Sequence, residues 1–427
     1  MKRYLVTLCL MALSVLAAHA QTGSWSGSLD VNGAKLLLVF NIDGENTTLD
    51  VPDQSAKGIP ATVDFSPEGK LMINVPSIGA RYEGFMLGKM IAGTFRQSGI
   101  ELPLTLKPGV PELKRPQTPV GPFPYSSEEV SFTNGDAVLR GTLTLPDGWT
   151  ATTPVVIMVT GSGLQDRDEG LYEHKPFAVI ADALARGGIA SLRYDDRGCG
   201  ASTGSNYTAT ILDYMADAEA GLALLRERFD SVGVIGHSEG GSIALMLADE
   251  GKVDFAISLA GMVISGAETL LDQNRYSLSR AGLPAEDSEK YYNALVAAFD
   301  AIRSGEPLPS PAAAPEILRE NYKLVLAQIQ TVYMRQFIKL DLSSSIKSIS
   351  CPVLALNGTK DIQVNSSKNL EALRPLLRSP LSVISEQPGL NHLFQHCQTG
   401  DTTEYKTIEE TFSPDVLTLM LDWVRSL

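Results

Sequence analysis

The segment GHSEG, residues 236–240, decides the fold that we expect for this chain. It follows the apolar run VGVI at 232–235, which is typical of a buried parallel strand. It precedes residues 242–248, whose composition favours a helix. A serine between glycines on a sharp strand-to-helix turn holds its hydroxyl above a sheet, beside the positive end of the helix dipole. The segment therefore predicts a nucleophile elbow centred on Ser238.

Strands alternate with helices on both sides of this elbow, and a hairpin around Asn134-Gly135 precedes them. This alternation predicts an α/β fold with a mainly parallel sheet, helices on both faces and an antiparallel edge hairpin. Strands are expected at 129–132, 137–145, 154–159, 189–193, 232–235, 255–259, 352–356 and 381–384. Helices are expected at 175–186, 209–228, 242–248 and 414–427.

The alternation stops between Gly261 and Ser350, where helical periodicity occurs near 266–281, 286–304 and 315–340. A helical insertion at this point of a parallel sheet is expected over the carboxyl ends of the strands, where ligands bind in such folds. We therefore predict a helical cap at about 262–350 that shapes the substrate pocket.

The first 20 residues predict a secretory signal peptide. Lys2 and Arg3 precede an apolar stretch at 4–16, and Ala18-His19-Ala20 resembles a cleavage site. The apolar stretch is too short for a membrane span, and no later segment predicts one. The mature chain is thus expected to begin near Gln21 and to be secreted or periplasmic, without membrane insertion.

Two further regions precede the elbow domain. Residues 21–107 predict a small all-β domain without catalytic groups, with turn signals that include residues 32–33 and 67–69. Its short apolar or alternating runs, the expected strands, lie at 36–40, 47–51, 61–65, 71–75, 80–85, 90–95 and 102–106. Residues 108–125 are rich in proline and predict an extended linker. The catalytic domain is then expected at 126–427. The all-β domain is expected to serve packing, substrate access or dimerisation, so the sequence leaves undecided whether the chain forms a homodimer.

Charge and cysteine content exclude several classes of partner and cofactor. Of 35 basic residues, Lys2 and Arg3 leave with the signal peptide, so 33 remain against 49 acidic residues. This balance argues against nucleic acids and anionic membranes as partners. Cys199, Cys351 and Cys397 have no metal-like spacing, and whether two of them form a disulfide stays open. We expect no metal and no cofactor.

A nucleophilic serine needs a general base, and the chain has five histidines. His19 leaves with the signal peptide, His174 lies upstream of the elbow, and His237 is the neighbour of the serine within the elbow. His392 follows a predicted strand in the chain order that such hydrolases use. His396, one helical turn further on, is expected at the surface, so His392 is the predicted base.

The base needs an orienting carboxylate, and the tetrahedral intermediate needs N–H donors. Asp361 follows the strand predicted at 352–356 and is the expected acid. The backbone N–H of Glu239 is the first expected oxyanion donor. The second is expected in the loop after strand 154–159, with Ser162 preferred and Gly163 next.

The chain resembles the α/β-hydrolase superfamily from about residue 126 to the end, and more closely the secreted bacterial carboxylesterases of the dienelactone-hydrolase and prolyl-oligopeptidase-related branch. The resemblance implies the triad Ser238, Asp361 and His392, and the N-terminal β domain resembles one attached to such esterases. Thr160 departs from the histidine that many relatives carry before the oxyanion glycine. The resemblance is carried by Gly161-Ser162-Gly163 with Asp166-Arg167-Asp168, RYDDRG at 193–198 with Gly200 and Ser202, GHSEGG at 236–241, Asn357-Gly358 with Asp361, and Asn391-His392.

Three functions remain open at this point. The first is a carboxylesterase for small to medium acyl esters; the second is an aminopeptidase or acyl-amide hydrolase with the same triad. The third is an inactive hydrolase fold that serves as a binding protein.

Asp195, Asp196 and Arg197 border the cleft and are expected to form structural ion pairs. A metal site that combines Asp195 and Asp196 with Asp166 and Asp168 is discounted, since no histidines accompany these residues.

Overall fold

The computed structural model describes residues 22–31, 34–54, 56–66, 69–111 and 113–427. The predicted signal peptide, the predicted turn at 32–33 and the first two residues of the predicted turn at 67–69 lie outside these ranges. The chain divides into two compact units, Met1–Leu113 and Lys114–Leu427.

The first unit is all-β, as the sequence predicts. Its strands pair antiparallel in the order β4-β3-β2-β1-β9-β8-β7-β6-β5. Alternate side chains point into one apolar core around Phe40 and Tyr82. The buried hydroxyl of Tyr82 donates to the carbonyl oxygens of Ile91 and Leu104. The strands are β1 Gly23–Val31, β2 Ala34–Ile42, β3 Thr48–Val51, β4 Ala56–Pro60, β5 Thr62–Phe65, β6 Lys70–Val75, β7 Ala80–Leu87, β8 Met90–Gln97 and β9 Ile100–Pro108.

The second unit contains an eight-stranded sheet in the order β10-β11-β13-β12-β14-β15-β16-β17. The hairpin β10–β11 pairs antiparallel at one edge, and the six strands from β13 to β17 in this order are parallel. This is the sheet that the strand–helix alternation predicts. The strands are β10 Tyr125–Asn134, β11 Ala137–Pro146, β12 Val155–Val159, β13 Ala190–Tyr194, β14 Val232–His237, β15 Phe255–Leu259, β16 Val353–Gly358 and β17 Val383–Gln387.

Helices cover both faces of this sheet, and each face has its own apolar core. Strands β12, β14 and β15 are buried along their whole length, which explains their continuous apolar sequences. Among the residues described, none of the helices has both the length and the apolar character needed to cross a membrane. The helices are α1 Pro176–Arg186, α2 Ile211–Arg226, α3 Glu239–Asp249, α4 Gly266–Arg280, α5 Ala285–Ser304, α6 Arg319–Gln328, α7 Val332–Lys339, α8 Leu342–Ser345, α9 Ser366–Leu373 and α10 Pro414–Arg425.

The insert between β15 and β16 is helical, but the single helix expected at 315–340 is wrong. Two helices, α6 and α7, occupy this range. The break lies at Thr331, whose hydroxyl accepts the N–H of Met334 and caps α7. The insert has its own apolar core, in which the buried Tyr322 hydroxyl donates to the Ala294 carbonyl.

Candidate active site

Ser238 occupies a strained turn between β14 and α3. Its φ is 53° and its ψ is −116°, a combination that a non-glycine residue rarely adopts. The flanking glycines are required sterically, because a Cβ at Gly236 would lie 1.9 Å from the Gly240 carbonyl oxygen, and a Cβ at Gly240 would lie 2.1 Å from that of Val159. The Ser238 N–H donates to the Leu259 carbonyl at 2.8 Å, which ties the turn to β15. The predicted elbow is thus present in the backbone.

Asp361 and His392 meet at the carboxyl ends of β16 and β17. The His392 Nδ1–H donates to Asp361 Oδ2 at 2.7 Å, and both side chains are almost fully buried. The other carboxylate oxygen, Oδ1, accepts the backbone N–H groups of Gln363 and Val364 at 2.8 and 2.9 Å. These bonds fix the carboxylate and assign the Nδ1–H tautomer, which leaves Nε2 free to accept a proton.

A cavity of about 300 Å³ opens beside Ser238 and His392. Its walls come from the loop after β12, from the elbow and from the loops after β16 and β17. None of the described lining residues belongs to the insert at 262–350, so these loops rather than the insert form the walls of the pocket. The remaining lining residues are Gly161, Ser162, Gln165, Glu169, Leu171, Tyr172, His237, Gln363, Leu393, Thr402 and Tyr405.

The three predicted oxyanion donors have different surroundings. Glu239 is the first residue of α3, and the first N–H groups of a helix have no acceptor within that helix. Ser162 lines the cavity beside Ser238, whereas Gly163 and Glu239 line a smaller cavity, so the case for Glu239 rests on its place at the start of α3. The Gly161 N–H is already donated to Glu169 Oε1 at 2.7 Å. This arrangement favours the N–H groups of Glu239 and Ser162 over that of Gly163.

The Glu239 side chain was not assigned a role by the sequence. It is buried, its Oε2 accepts the Tyr333 hydroxyl from α7 of the insert, and its Oε1 has no hydrogen-bond partner. Burial raises the pKa of Glu239 to about 7, while hydrogen bonds from Tyr333 and Ser162 oppose the shift. A carboxyl that titrates near neutrality therefore lies directly behind the elbow.

A second His–carboxylate pair, also missed by sequence reasoning, lies beside the first. The His237 ring is buried, with Nδ1 2.9 Å from Glu169 Oε1 and Nε2 2.9 Å from the His392 carbonyl oxygen. Glu169 is the residue after the run Asp166-Arg167-Asp168, which is the only sequence signal that could have pointed to it.

In the charged run after β13, Asp195 and Arg197 form ion pairs, as the sequence predicts, whereas Asp196 is held by neutral hydrogen-bond donors and the ion pair expected for it is wrong. Asp195 binds Arg167, and the buried Arg197 binds Asp217 through two hydrogen bonds of 2.6 and 2.7 Å. Asp196 accepts the hydroxyl of Thr160, which gives this departure from the family pattern a structural role. Burial raises the pKa of Asp196 to about 7 despite bonds from Gln165 and Thr160.

The two remaining histidines of the described chain are separate from Ser238. His174 is fully buried between the Thr411 hydroxyl and the Tyr405 carbonyl, and burial lowers its pKa to about 4. His396 is exposed and its Nδ1 lies 2.9 Å from Glu410 Oε1. Of the described histidines, His392 and His237 line the cavity beside the elbow, and His237 Nε2 is already paired with the His392 carbonyl oxygen.

Within the described ranges, no group of three or more histidine, cysteine, aspartate or glutamate side chains could hold a metal ion. Cys199, Cys351 and Cys397 are free thiols.

One curated relative and several solved structures are similar to this chain. An esterase of Thermotoga maritima, EstD, is 30% identical over 273 residues, which span 63% of this chain and 61% of the relative. The chain thus covers less than two thirds of the length of that relative.

The similar structures have low identity. An esterase of Pyrococcus furiosus, Pf2001, is 17% identical with a TM-score of 0.43, over 74% of this chain and 98% of its own. The hypothetical protein PA2218 of Pseudomonas aeruginosa is 16% identical with a TM-score of 0.45, over the same shares of 74% and 98%. Est1E of Butyrivibrio proteoclasticus is 15% identical with a TM-score of 0.40, over 70% and 99%.

A protein-family profile gives the assignment. The profile described as serine aminopeptidase, S33, matches residues 169–394, just over half of the chain. This range includes Ser238, Asp361 and His392. Together with the parallel sheet and the elbow, the match leads to one conclusion: the chain belongs to the serine aminopeptidase S33 family and has the α/β-hydrolase fold.

Proposed function

We propose that this protein is a serine hydrolase that cleaves small to medium carboxylic esters, with Ser238 as nucleophile, His392 as general base and Asp361 as orienting acid. The observation that carries the proposal is the His392–Asp361 hydrogen bond of 2.7 Å at the cavity that Ser238 also lines. The relative of Thermotoga maritima named an esterase supports the same reaction class.

In the proposed reaction the Ser238 hydroxyl attacks the ester carbonyl and passes its proton to His392 Nε2. Asp361 stabilises the imidazolium that results, since Nδ1–H remains donated to Oδ2. The N–H groups of Glu239 and Ser162 stabilise the oxyanion. His392 then returns the proton to the departing alcohol, which leaves an acyl group on Ser238. Water, deprotonated by His392, releases the acid and regenerates the hydroxyl.

Amide hydrolysis is the alternative, and the family description favours it. An aminopeptidase needs an anionic group for the terminal ammonium of its substrate. Glu169 is the one carboxylate among the described lining residues, and its Oε1 already accepts from Gly161 and faces His237. The ester reaction therefore remains our first proposal, and an inactive binding protein the least favoured.

Two substrate panels separate these proposals. p-Nitrophenyl esters of increasing acyl length are compared with aminoacyl-p-nitroanilides, and a fluorophosphonate probe is used to label the serine. Ester turnover with labelling supports the esterase, and turnover of anilides alone supports the amidase. Ser238→Ala is expected to lose both labelling and turnover, whereas Ser277→Ala, at an exposed serine of α4, keeps both.

We also propose that the chain is secreted or periplasmic. The support is the signal-like sequence at 1–20, which lies outside the described residues. N-terminal sequencing of the exported protein tests this, with a start near Gln21 as the expected result.

A further inference from the structure

The pair formed by His237 and Glu169 connects three segments of the site. His237 belongs to the elbow itself, and its Nε2 lies 2.9 Å from the carbonyl oxygen of His392. Its Nδ1 lies 2.9 Å from Glu169 Oε1, and the same oxygen accepts the Gly161 N–H at 2.7 Å. Through two side chains, the elbow is thus joined to the loop of the base and to the loop that bears Ser162.

The partners determine how many protons this pair holds. A carbonyl oxygen can only accept, so His237 Nε2 carries a proton. A second proton lies between Nδ1 and Glu169 Oε1. Burial is the largest single effect and lowers the pKa of His237, but the charge and hydrogen bond of Glu169, the His392 carbonyl and the charge of Asp361 together raise the pKa above its usual value. Because each ring nitrogen faces an acceptor, the geometry favours the charged form, an imidazolium beside a carboxylate.

We propose that His237 and Glu169 are positioning residues, in which a doubly protonated imidazole holds the His392 loop and the Ser162 loop against the nucleophile elbow. The proposal rests on the proposed function, because the pair acts through His392 and Ser162 and touches no reacting atom. It adds a second, buried His–carboxylate pair to the predicted triad.

The surroundings of His237 are suited to such a pair. Its ring centroid lies 4.7 Å from that of His392, and the charge of Asp361 also raises its pKa. Asp196 is a further acidic group close enough to interact with Glu169. On one side the pair borders a small, mostly apolar cavity with Phe177, Leu259, Leu393 and Phe412, and the Phe394 ring lies 6.5 Å from that of His237; on the other side it lines the cavity beside Ser238. In such surroundings the bonds of His237 are stronger than they would be in water.

Glu169→Gln is the central variant. The amide oxygen can still accept the Gly161 N–H, but the side chain no longer carries the charge that keeps His237 doubly protonated. We expect kcat for a p-nitrophenyl ester to fall about a hundredfold, with KM changed less than about threefold, because the base and the oxyanion loop are displaced while the pocket walls remain. Glu169→Asp retains the charge and is expected to recover part of kcat. His237→Gln, which retains one donor, is expected to lose as much as Glu169→Gln.

The chain offers a matched control in the exposed pair His396 and Glu410, with the same Nδ1–Oε1 distance of 2.9 Å. His396→Gln and Glu410→Gln are expected to keep wild-type kcat. If Glu169→Gln also keeps wild-type kcat, the positioning role is wrong.

A nuclear magnetic resonance experiment tests the pair without relying on turnover. In protein with nitrogen-15-labelled histidine, we expect both ring nitrogens of His237 to carry a proton, because each faces an acceptor. The downfield Nδ1–H signal of His392 should weaken in Glu169→Gln and persist in Glu410→Gln. A neutral His237 ring, or an unchanged His392 signal in Glu169→Gln, overturns the inference. Failure of the proposed function is distinguishable, since it removes ester turnover and labelling from the wild type while these spectra still report the pair.

Discussion

The two carboxylate oxygens of Asp361 have different partners. The effect of the substitution Asp361→Asn on the tautomer of His392 can therefore be predicted. Oδ1 accepts two backbone N–H groups, and Oδ2 accepts from His392. In Asp361→Asn the amide oxygen is expected to take the Oδ1 position, so that the NH₂ group faces His392 Nδ1. That nitrogen must then accept, and the ring proton moves to Nε2, where it blocks transfer from Ser238.

We therefore expect kcat of Asp361→Asn to fall by up to about 10⁴-fold. Folding should change little, because both backbone bonds to the side chain remain. Steady-state kinetics with an ester substrate and thermal unfolding measure the two effects. Wild-type kcat in this variant would mean that another carboxylate orients His392.

Glu239 is expected to give folding a pH dependence. Its pKa is about 7 in the folded chain, mainly through burial, against an ordinary value of 4.5. The folded state therefore binds this proton more tightly, and the stabilisation present below pH 4.5 is lost as the pH rises to about 7. The difference amounts to at most about 3 kcal/mol. Glu239→Gln, which is neutral throughout, should gain stability relative to the wild type between about pH 4.5 and about pH 8 in urea unfolding.

The buried Asp196 also has a raised pKa, so the pH dependence of wild-type stability includes contributions from both carboxyl groups. The difference between wild type and Glu239→Gln isolates Glu239. Glu371→Gln, at an exposed site, serves as the control and should show no such gain. A pH-independent difference for Glu239→Gln would contradict the prediction.

Chain order and strand ends lead to the prediction of Ser238, Asp361 and His392, because each follows a parallel strand whose apolar sequence is clear. The contacts behind them were not predictable. Glu169 meets His237 across 68 positions, and Tyr333 meets Glu239 across 94 positions. No spacing rule covers such contacts, since they depend on how two loops and an insert pack on the sheet.

At the scale of elements, apolar periodicity located the long helices and the buried strands but missed two strands of the first unit. Strand β1, Gly23–Val31, alternates through serine and glycine, and β4, Ala56–Pro60, is a short edge strand with one lysine and one glycine. Their hydrogen bonds to neighbouring strands, rather than apolar side chains, define them. Such strands carry little sequence signal.

The loops that line the cavity, rather than the helical insert, are expected to set acyl-length preference. Leu171 and Leu393 lie in the cavity wall, whereas Leu324 is exposed on α6 of the insert. Leu171→Ala and Leu393→Ala each enlarge the cavity at an apolar part of its wall. Each additional substrate methylene that the enlarged cavity buries raises kcat/KM for the longer ester by up to about fourfold. The ratio of kcat/KM for hexanoyl and acetyl esters measures this effect.

Leu324→Ala is the matched control and should leave that ratio unchanged. If the control shifts the ratio and the two loop variants do not, the insert shapes the pocket after all.

At the scale of the whole molecule, every group of the candidate site belongs to the unit Lys114–Leu427. The start of this unit is bound to its own loops. Arg115 donates to the carbonyls of Tyr172, Lys406 and Ile408. Gln117 bonds the backbone of Thr411 and Phe412. The proline-rich segment thus includes residues that hold the loop bearing the cavity residue Tyr172.

Two shortened chains separate the contribution of this segment from that of the β domain. A chain that begins at Lys114 keeps Arg115 and Gln117, and we expect it to be labelled by a fluorophosphonate and to retain kcat within about threefold. A chain that begins at Ser126 loses their hydrogen bonds, each worth about 1 kcal/mol and more where Arg115 donates. It should unfold at lower temperature and turn over esters more slowly. Arg115→Ala in the full chain should show part of the same loss, which excludes a mere effect of length. Equal stability and activity of the two shortened chains would mean that residues 114–125 are a linker without a role in the site.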